Sequence, residues 1–112
     1  MLPHGHRLRR NADIRRVRQQ GRRWYHPLLI LFVEANNQET SRFAVSVGRH
    51  VGGAVVRNRA KRRIREVIRR YLKQVKGGYD CLLIVRADLP VASFAEIEAA
   101  VSELLRRAGL LS

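Results

Sequence analysis

The chain is poor in cysteine, in acidic residues and in long apolar runs, and each shortage excludes a class of protein. Its single cysteine, Cys81, excludes an internal disulfide and fits a reducing compartment. No apolar run approaches the ~20 residues that a membrane-spanning helix requires, and the N-terminal residues lack the apolar core of a signal peptide. We therefore expect a cytoplasmic protein without a membrane partner.

Acidic residues are scarce: the 112 residues include 9 Asp and Glu but 23 Lys and Arg, which gives a formal net charge of +14. Such a charge indicates polyanionic partners. All but 3 of the cations are arginine, whose planar guanidinium binds phosphate bidentately and stacks on bases. A genome rich in Arg codons explains this bias equally well, and the chemistry is the same either way.

The positive charge is confined to two segments of the chain. Residues 1–27 carry 8 Arg and 1 acid, and residues 49–76 carry 11 cations and 1 acid. The remaining residues are close to neutral. This distribution predicts a localised binding surface rather than a uniformly basic one.

The pattern of apolar residues predicts one α+β domain over residues 1–112, in the order α-β-β-α-β-α, with a flexible N-terminus over residues 1–8 and room for one additional short strand. Asn11 is expected to cap a helix over 12–20 that Gly21 ends in the left-handed conformation. The apolar run 28–34 predicts a strand buried on both faces, and the alternating residues 42–47 predict its antiparallel hairpin partner.

In the second half of the chain, the spacing of apolar residues predicts a helix over 54–73, a strand over 79–86 and a last helix. Ser93 and Glu96 form the capping box of that last helix. The inward stripe of the long helix is expected to comprise Val56, Ala60, Ile64, Val67, Ile68, Tyr71 and Leu72.

The outer face of this long helix carries a line of cations. Its members share a spacing of three and four residues, which places them on one side of a helix: Asn58, Arg62, Arg65 and Arg69, widened by Arg59, Arg63, Arg70 and Lys73. Glu66 is the only acid available to them, so the cations repel one another unless an anion is bound. The alternative is a merely solvated charged face. Arg57 falls on the apolar side, so either the helix begins later or Arg57 lies at the rim of a cleft.

The residues of this helix resemble the signature of the bacterial ribonuclease P protein component. The matching string is Val55-Val56-Arg57-Asn58-Arg59-Ala60-Lys61-Arg62-Arg63-Ile64-Arg65, and the similarity extends to the segment 42–48 and to both ends of the chain. The resemblance implies a fold like the second domain of ribosomal protein S5, with a left-handed β-α-β crossover. It also implies that the chain, together with a catalytic RNA, removes the 5′ leader from precursor transfer RNA.

The resemblance assigns roles to individual positions. Contact with the catalytic RNA is implied for Arg57, Asn58, Arg59, Lys61, Arg62 and Arg65, to which we add Arg69 and Arg49. A cleft between the first helix and the sheet is expected to hold the single-stranded leader, with contributions from Arg9, Ile14, Arg18 and Phe32. Ile14 and Arg18 stand where aromatics often line this cleft, and Gly53 stands where the family often has Asn. Base stacking would therefore depend on Phe32 or on the guanidinium of Arg18.

We expect no catalytic residue and no metal site on the protein. The acids show no short-spaced cluster within a basic segment, and His4 and His6 make a weak metal pair near a chain end. Cys81 is expected to lie in the core. The protein would thus be the accessory subunit of an endoribonuclease, with Mg²⁺ held mainly by the RNA subunit and the substrate.

Three binding proteins and one enzyme remain as alternatives. A nucleoid protein, a ribosomal protein or a membrane-surface helix could be equally basic, and a stand-alone protein nuclease would act on the same RNA. The sequence favours folded RNA over DNA, because a basic helix flanked by glycines occurs without a helix-turn-helix pair or zinc ligands.

Overall fold

A computed structural model describes residues 2–112 of the chain. The described residues form three α-helices and four strands, in the order α-β-β-β-α-β-α. The helices are α1 (Asn11–Gln20), α2 (Ala54–Tyr71) and α3 (Phe94–Arg107), and the strands are β1 (Arg22–Tyr25), β2 (Leu29–Ala35), β3 (Arg42–Ser46) and β4 (Tyr79–Val85). Short 3₁₀ turns cover His4–His6, Arg49–Val51 and Leu89–Val91. The predicted α+β class is confirmed, and β1 is the additional short strand.

The four strands form one mixed sheet in the order β1-β2-β4-β3. Strand β2 is antiparallel to β1 and to β4, whereas β3 is parallel to β4 and reaches it through α2. The predicted hairpin between residues 28–34 and 42–47 is therefore wrong, because β4 lies between them. Strand β4 is largely buried on both faces, as expected for a strand inside a sheet.

The polar loop between β2 and β3 shows why the hairpin does not form. Its side chains bond to the segment that leads into β4 rather than across the loop alone. The amide of Asn36 donates to Asp80 over 2.9 Å, and the Ser41 hydroxyl donates to the carbonyl of Lys76 over 2.6 Å. These bonds attach the loop to β4 and to the residues before it, and β4 lies between β2 and β3.

Two apolar clusters lie on opposite faces of the sheet. The larger one packs α2 and α3 against alternate residues of β2 and β4 such as Leu31 and Leu83, both fully buried. The smaller one lies under α1, where Val17 contacts Phe32 and Leu82 of the other sheet face. The molecule therefore has three layers: α1, the sheet, and the pair α2 and α3.

The segment before α1 packs against the rest of the chain through two leucines. Leu2 is 2% exposed within the larger cluster and Leu8 is 4% exposed within the smaller one. The amide of Leu8 also donates to the carbonyl of Phe43 over 2.8 Å. These contacts hold Leu2 and Leu8 against the core, whereas Met1 lies outside the described residues. The flexibility expected for residues 1–8 stays a prediction.

Helix ends agree with the sequence at α3 and differ at α1. Both hydrogen bonds of the capping box between Ser93 and Glu96 are present. Asn11, however, is the first residue of α1, and Gly21 has an extended backbone with φ −69° rather than a left-handed one. Gly21 is required for a different reason: a Cβ there would lie 2.5 Å from the Val17 carbonyl oxygen.

Helix α2 ends at Tyr71, two residues before the predicted end. Its predicted inward stripe is confirmed from Ala60 onward, since Ala60, Ile64, Val67 and Ile68 are all buried. Val56 departs from the prediction because it is 38% exposed. The stripe thus begins one turn later than the sequence pattern suggested, and the first turn of α2 is open to solvent.

Candidate nucleic-acid interface

The face of α2 that points away from the sheet carries exposed polar and cationic side chains. We call this set the basic crest, and it comprises Asn58, Arg59, Arg62, Arg65 and Arg69, all exposed. The crest exists because residues at three- and four-residue spacing share one side of a helix, while the buried stripe holds the opposite side against the sheet.

Ion pairs divide the cations of α2 into two groups. Arg69 donates two hydrogen bonds to Glu66, the shorter over 2.6 Å, which raises the pKa of Arg69 and lowers that of Glu66. Arg70 pairs with Glu98 over 3.3 Å. By contrast, no ion pair within residues 2–112 involves Arg59, Arg62, Arg63 or Arg65. The middle of the crest therefore carries uncompensated positive charge.

Arg57 lies beside the crest in an unusual environment. Its side chain is half-buried, and its Nε is buried without a hydrogen-bond partner in the described part of the chain. A later start of the helix does not explain this, because α2 already begins at Ala54. A buried donor without an acceptor costs about 1–3 kcal/mol, and because this Nε is covered, only the rest of the half-buried guanidinium is open to an anion.

Two further residues expected to contact RNA lie outside the crest. Lys61 is half-buried one turn after Arg57, on the same flank of α2. Arg49 is exposed in the 3₁₀ turn that precedes α2. Seven of the eight positions therefore lie along α2, and Arg49 lies just before its N-terminus.

A cleft of about 400 Å³ opens between the N-terminal part of α1 and β3. Arg9 and Ile14 line it together with Ala44 of the sheet and Arg65 of the crest. Arg65 thus connects the cleft to the crest. The Nη1 atom of Arg9 lies 2.8 Å from the His4 ring, which orients the guanidinium at the cleft.

Two other residues predicted for the cleft are not among those that line it. Arg18 is exposed on α1. Phe32 is only 5% exposed, and the guanidinium of Arg23 lies over its ring at 5.4 Å. Strand β1 places Arg23 opposite Phe32. The sequence pattern does not give the position of β1, so it does not predict that Arg23 covers this ring. A base cannot stack on Phe32 unless Arg23 moves.

Helix α1 is anchored to the sheet by a network of charges around a buried carboxylate. Asp80 is fully buried and accepts hydrogen bonds from Arg42 over 2.7 and 2.8 Å and from Arg16 over 2.8 Å. Arg16 also donates to Glu34 and Asp13, each over 2.6 Å, and these bonds raise its pKa. The network fixes α1 on the sheet and so sets one wall of the cleft.

Sequence reasoning missed this network, although a signal was present. Asp80 shares one face of the predicted strand 79–86 with Leu82, and a carboxylate placed among apolar residues requires a cationic partner. The partners could not be chosen from the sequence, because Arg16 and Arg42 are 64 and 38 residues away.

Residues able to bind a metal ion do not cluster in the described part of the chain. No group of three or more His, Cys, Asp or Glu side chains is suitably placed among residues 2–112. Three carboxylates do converge on Arg16, but its guanidinium fills the position that a metal ion would need. Cys81 is fully buried, as predicted, and burial raises the pKa of its thiol. Within residues 2–112, no helix has the length and apolar character needed to span a bilayer.

Comparisons with known proteins agree with the geometry. The sequence model of the family described as Ribonuclease P matches residues 2–109. The ribonuclease P protein component of Herpetosiphon aurantiacus is 44% identical over 104 residues, which cover 93% of this chain and 85% of the relative.

Solved structures give the same result for the fold. The RNase P protein of Staphylococcus aureus superposes with a TM-score of 0.87 at 25% identity, covering 96% of this chain and 98% of the other. The RNase P protein from Thermotoga maritima gives 0.83 at 28% identity, covering 90% and 96%. With a match to the family along nearly its whole length and the same fold, this chain belongs to the bacterial ribonuclease P protein family.

Proposed function

We propose that this chain is the RNA-binding subunit of ribonuclease P, which binds the catalytic RNA through the basic crest and supports removal of the 5′ leader from precursor transfer RNA. The observation that carries the proposal is the set of unpaired arginines on the outer face of α2. Their charge is not balanced from within the described chain, and phosphate groups of RNA supply the balance.

The crest and the residues beside it would contact the RNA in different ways. Arg59, Arg62 and Arg65 present free guanidinium groups that can bind phosphate bidentately. Arg57 adds a half-buried cation beside the crest. The open N-terminal turn of α2 also has free backbone amides, which favour phosphate at that end.

The cleft beside α1 is the proposed site of the single-stranded leader. Arg9 and Arg65 offer charge to its backbone, and Ile14 with Ala44 offers an apolar surface to its bases. Because Phe32 is covered by Arg23, stacking on an aromatic ring is not part of this proposal. We expect weaker discrimination among leader bases than aromatic stacking would give.

Chemistry on the phosphodiester is proposed to reside in the RNA, with Mg²⁺ held mainly by the RNA and the substrate. The metal would stabilise the charge that develops during hydrolysis. The protein's residues act by position and charge: the crest lowers the repulsion between two RNA backbones that must approach each other. This favours magnesium occupancy at lower magnesium concentration.

Reconstitution tests the proposal. Purified protein is added to its catalytic RNA at low magnesium, and cleavage of precursor transfer RNA is measured. We expect the protein to restore processing, and a double variant with Arg59→Gln and Arg62→Gln to lose most of that effect. The matched control is Arg106→Gln on α3, which is equally exposed and lies outside the crest.

Two results would contradict the proposal. One is processing that is equally rapid with the crest variant and with the wild-type protein. The other is binding to duplex DNA as tight as binding to the folded RNA at the same salt concentration, which would indicate a nucleoid protein instead.

A further inference from the structure

A second groove lies on the other side of the crest, between α2 and the start of α3. It encloses about 480 Å³, within the ~300–1,000 Å³ that is usual for sites of small organic groups. Arg62, Arg63 and Arg65 line it together with Glu66 and Phe94. It differs from the cleft beside α1, which lies on the β3 side of the helix and shares only Arg65 with it.

The aromatic part of this groove is held in place by its neighbours. Phe94 is half-buried at the first position of α3, directly after the N-cap residue Ser93. The guanidinium of Arg70 covers one face of its ring at 4.7 Å and is itself held by Glu98. Arg70 does not line the groove, whereas Phe94 does, so the groove meets the part of the ring that Arg70 leaves uncovered. A ring fixed in this way loses little conformational entropy when a flat ligand stacks on it.

The cationic part of the groove is not neutralised. Arg63 donates to the carbonyl of Ala92 over 3.0 Å, which bridges α2 to the turn before α3, and no carboxylate pairs with it within residues 2–112. Burial and the charge of Arg59 lower the pKa of Arg63. Glu66, the only acid that lines the groove, is already paired with Arg69. An incoming anionic group would therefore meet favourable charge.

An aromatic ring beside free guanidinium groups matches the chemistry of a nucleotide. Bases that are unstacked from their own helix stack on aromatic side chains, while the phosphate is held by arginine. A base in a regular RNA duplex cannot do this, because both of its faces are already covered.

We propose that the groove between α2 and α3 binds one unpaired nucleotide of the RNA partner, with its base against Phe94 and its phosphate between Arg62 and Arg63. This rests on the proposed function only in taking RNA as the ligand. It adds a base-stacking site on the side of the crest that faces away from the α1 cleft.

The test compares Phe94→Leu with Val91→Ala. Leucine keeps the ring position apolar but removes the flat surface, and Val91 is 89% exposed nearby without lining the groove. Circular dichroism first establishes that both variants fold. Chemical probing of the catalytic RNA then compares protection of unpaired nucleotides, and filter binding gives the affinity. We expect Phe94→Leu to lose protection at one unpaired nucleotide and to bind about tenfold more weakly, while Val91→Ala matches wild type.

A second measurement does not require the catalytic RNA. Adenosine monophosphate and inorganic phosphate are titrated separately into the wild-type protein, and the ring signals of Phe94 are followed by NMR. Shifts with the nucleotide alone support a stacking site. Equal shifts with phosphate would overturn it in favour of a simple anion site, and displacement by an acidic peptide at lower concentration would overturn it in favour of a protein partner.

Failure of this inference is distinguishable from failure of the proposed function. If Phe94→Leu keeps full protection and affinity while Arg59→Gln with Arg62→Gln weakens binding, the groove is not a nucleotide site and the crest still binds RNA. If neither variant changes binding to the RNA, both proposals are wrong.

Discussion

The buried carboxylate of Asp80 gives a prediction whose size follows from the structure. Replacing it by the isosteric Asn removes a negative charge. Arg42 then loses the carboxylate that neutralises it, and Arg16 loses one of its three carboxylate partners. Breaking a buried pair by removing one partner costs about 3–5 kcal/mol. Arg16 keeps Glu34 and Asp13, whereas Arg42 loses its only acid among the ion pairs of the described residues, and hydrogen bonding to Asp80 is what raises the pKa of Arg42.

Solvent reduces this cost. The side chains of Arg16 and Arg42 are 36% and 22% exposed, so water can partly replace the lost contacts. We therefore expect Asp80→Asn to lower the free energy of unfolding by the lower end of the range, about 3 kcal/mol. For a chain of this length, about 4 °C of Tm accompanies each kcal/mol, which predicts a decrease of about 12 °C.

Thermal and urea unfolding followed by circular dichroism measure this change. The control is Glu103→Gln, which removes the same charge from an exposed pair, 3.7 Å from Arg107. An exposed pair contributes about 0–1 kcal/mol, so we expect a change in Tm of at most about 4 °C. A double-mutant cycle with Arg42→Met should show coupling above about 1 kcal/mol.

The reasoning would be refuted if Asp80→Asn lay within about 1 kcal/mol of Glu103→Gln, the most that an exposed pair is expected to contribute. That result would mean that the network is no more important for stability than a surface ion pair. α1 would then be held to the sheet by its apolar contacts alone.

Three further predictions concern a turn, a cap and the crest. Gly21→Ala should destabilise the protein by about 1–3 kcal/mol in urea unfolding, because the new Cβ meets backbone atoms, whereas Gly5→Ala, where a Cβ meets nothing, should change it little. The hydrogen bond from the Ser93 amide lowers the pKa of Glu96 from its ordinary 4.5. The ionised Glu96 therefore stabilises the folded protein above pH 4.5, and this stabilisation is lost as the pH falls through the lower pKa that Glu96 has in the folded state. The difference in stability between wild type and Glu96→Gln should thus shrink from pH 6 to pH 3, and a constant difference would contradict the cap. Glu66→Gln should release Arg69 and raise affinity for RNA about twofold to fivefold at low salt in filter binding, while lower affinity would contradict the competition between carboxylate and phosphate.

The parts of the fold that sequence patterns predict well are those set by local chemistry. The spacing of Ile64, Val67 and Ile68 alone defines which side of α2 is buried, and the pair Ser93 and Glu96 defines where α3 begins. Helical periodicity and capping depend on residues a few positions apart, so one sequence contains the whole signal.

The parts that failed depend on residues far apart in the chain. Whether β3 pairs with β2 or with β4 depends on where α2 returns the chain, because β2 and β4 are both largely buried on their two faces. Gly21 was assigned to a left-handed turn, but its role is close approach to the Val17 carbonyl, which a turn pattern does not encode.

The candidate site also combines features that nearby residues determine with features that distant residues determine. The line of Asn58, Arg62 and Arg65 followed from helical spacing, and the structure places all three on the exposed face of α2. The covering of Phe32 by Arg23 did not follow, because it required the position of β1. The pairing of Arg69 with Glu66 is local, yet the sequence does not decide whether Glu66 pairs with Arg69 or with a cation one turn before it.

The dependence of RNA affinity on salt tests the central claim most directly. If the crest and its flank bind about six phosphates, the plot of log affinity against log salt concentration should have a slope between about −4 and −5. Neutralising Arg59 and Arg62 should reduce its steepness by about 2, while Arg106→Gln leaves it unchanged. A nearly flat slope, or equal slopes for the crest variant and the wild-type protein, would contradict the account.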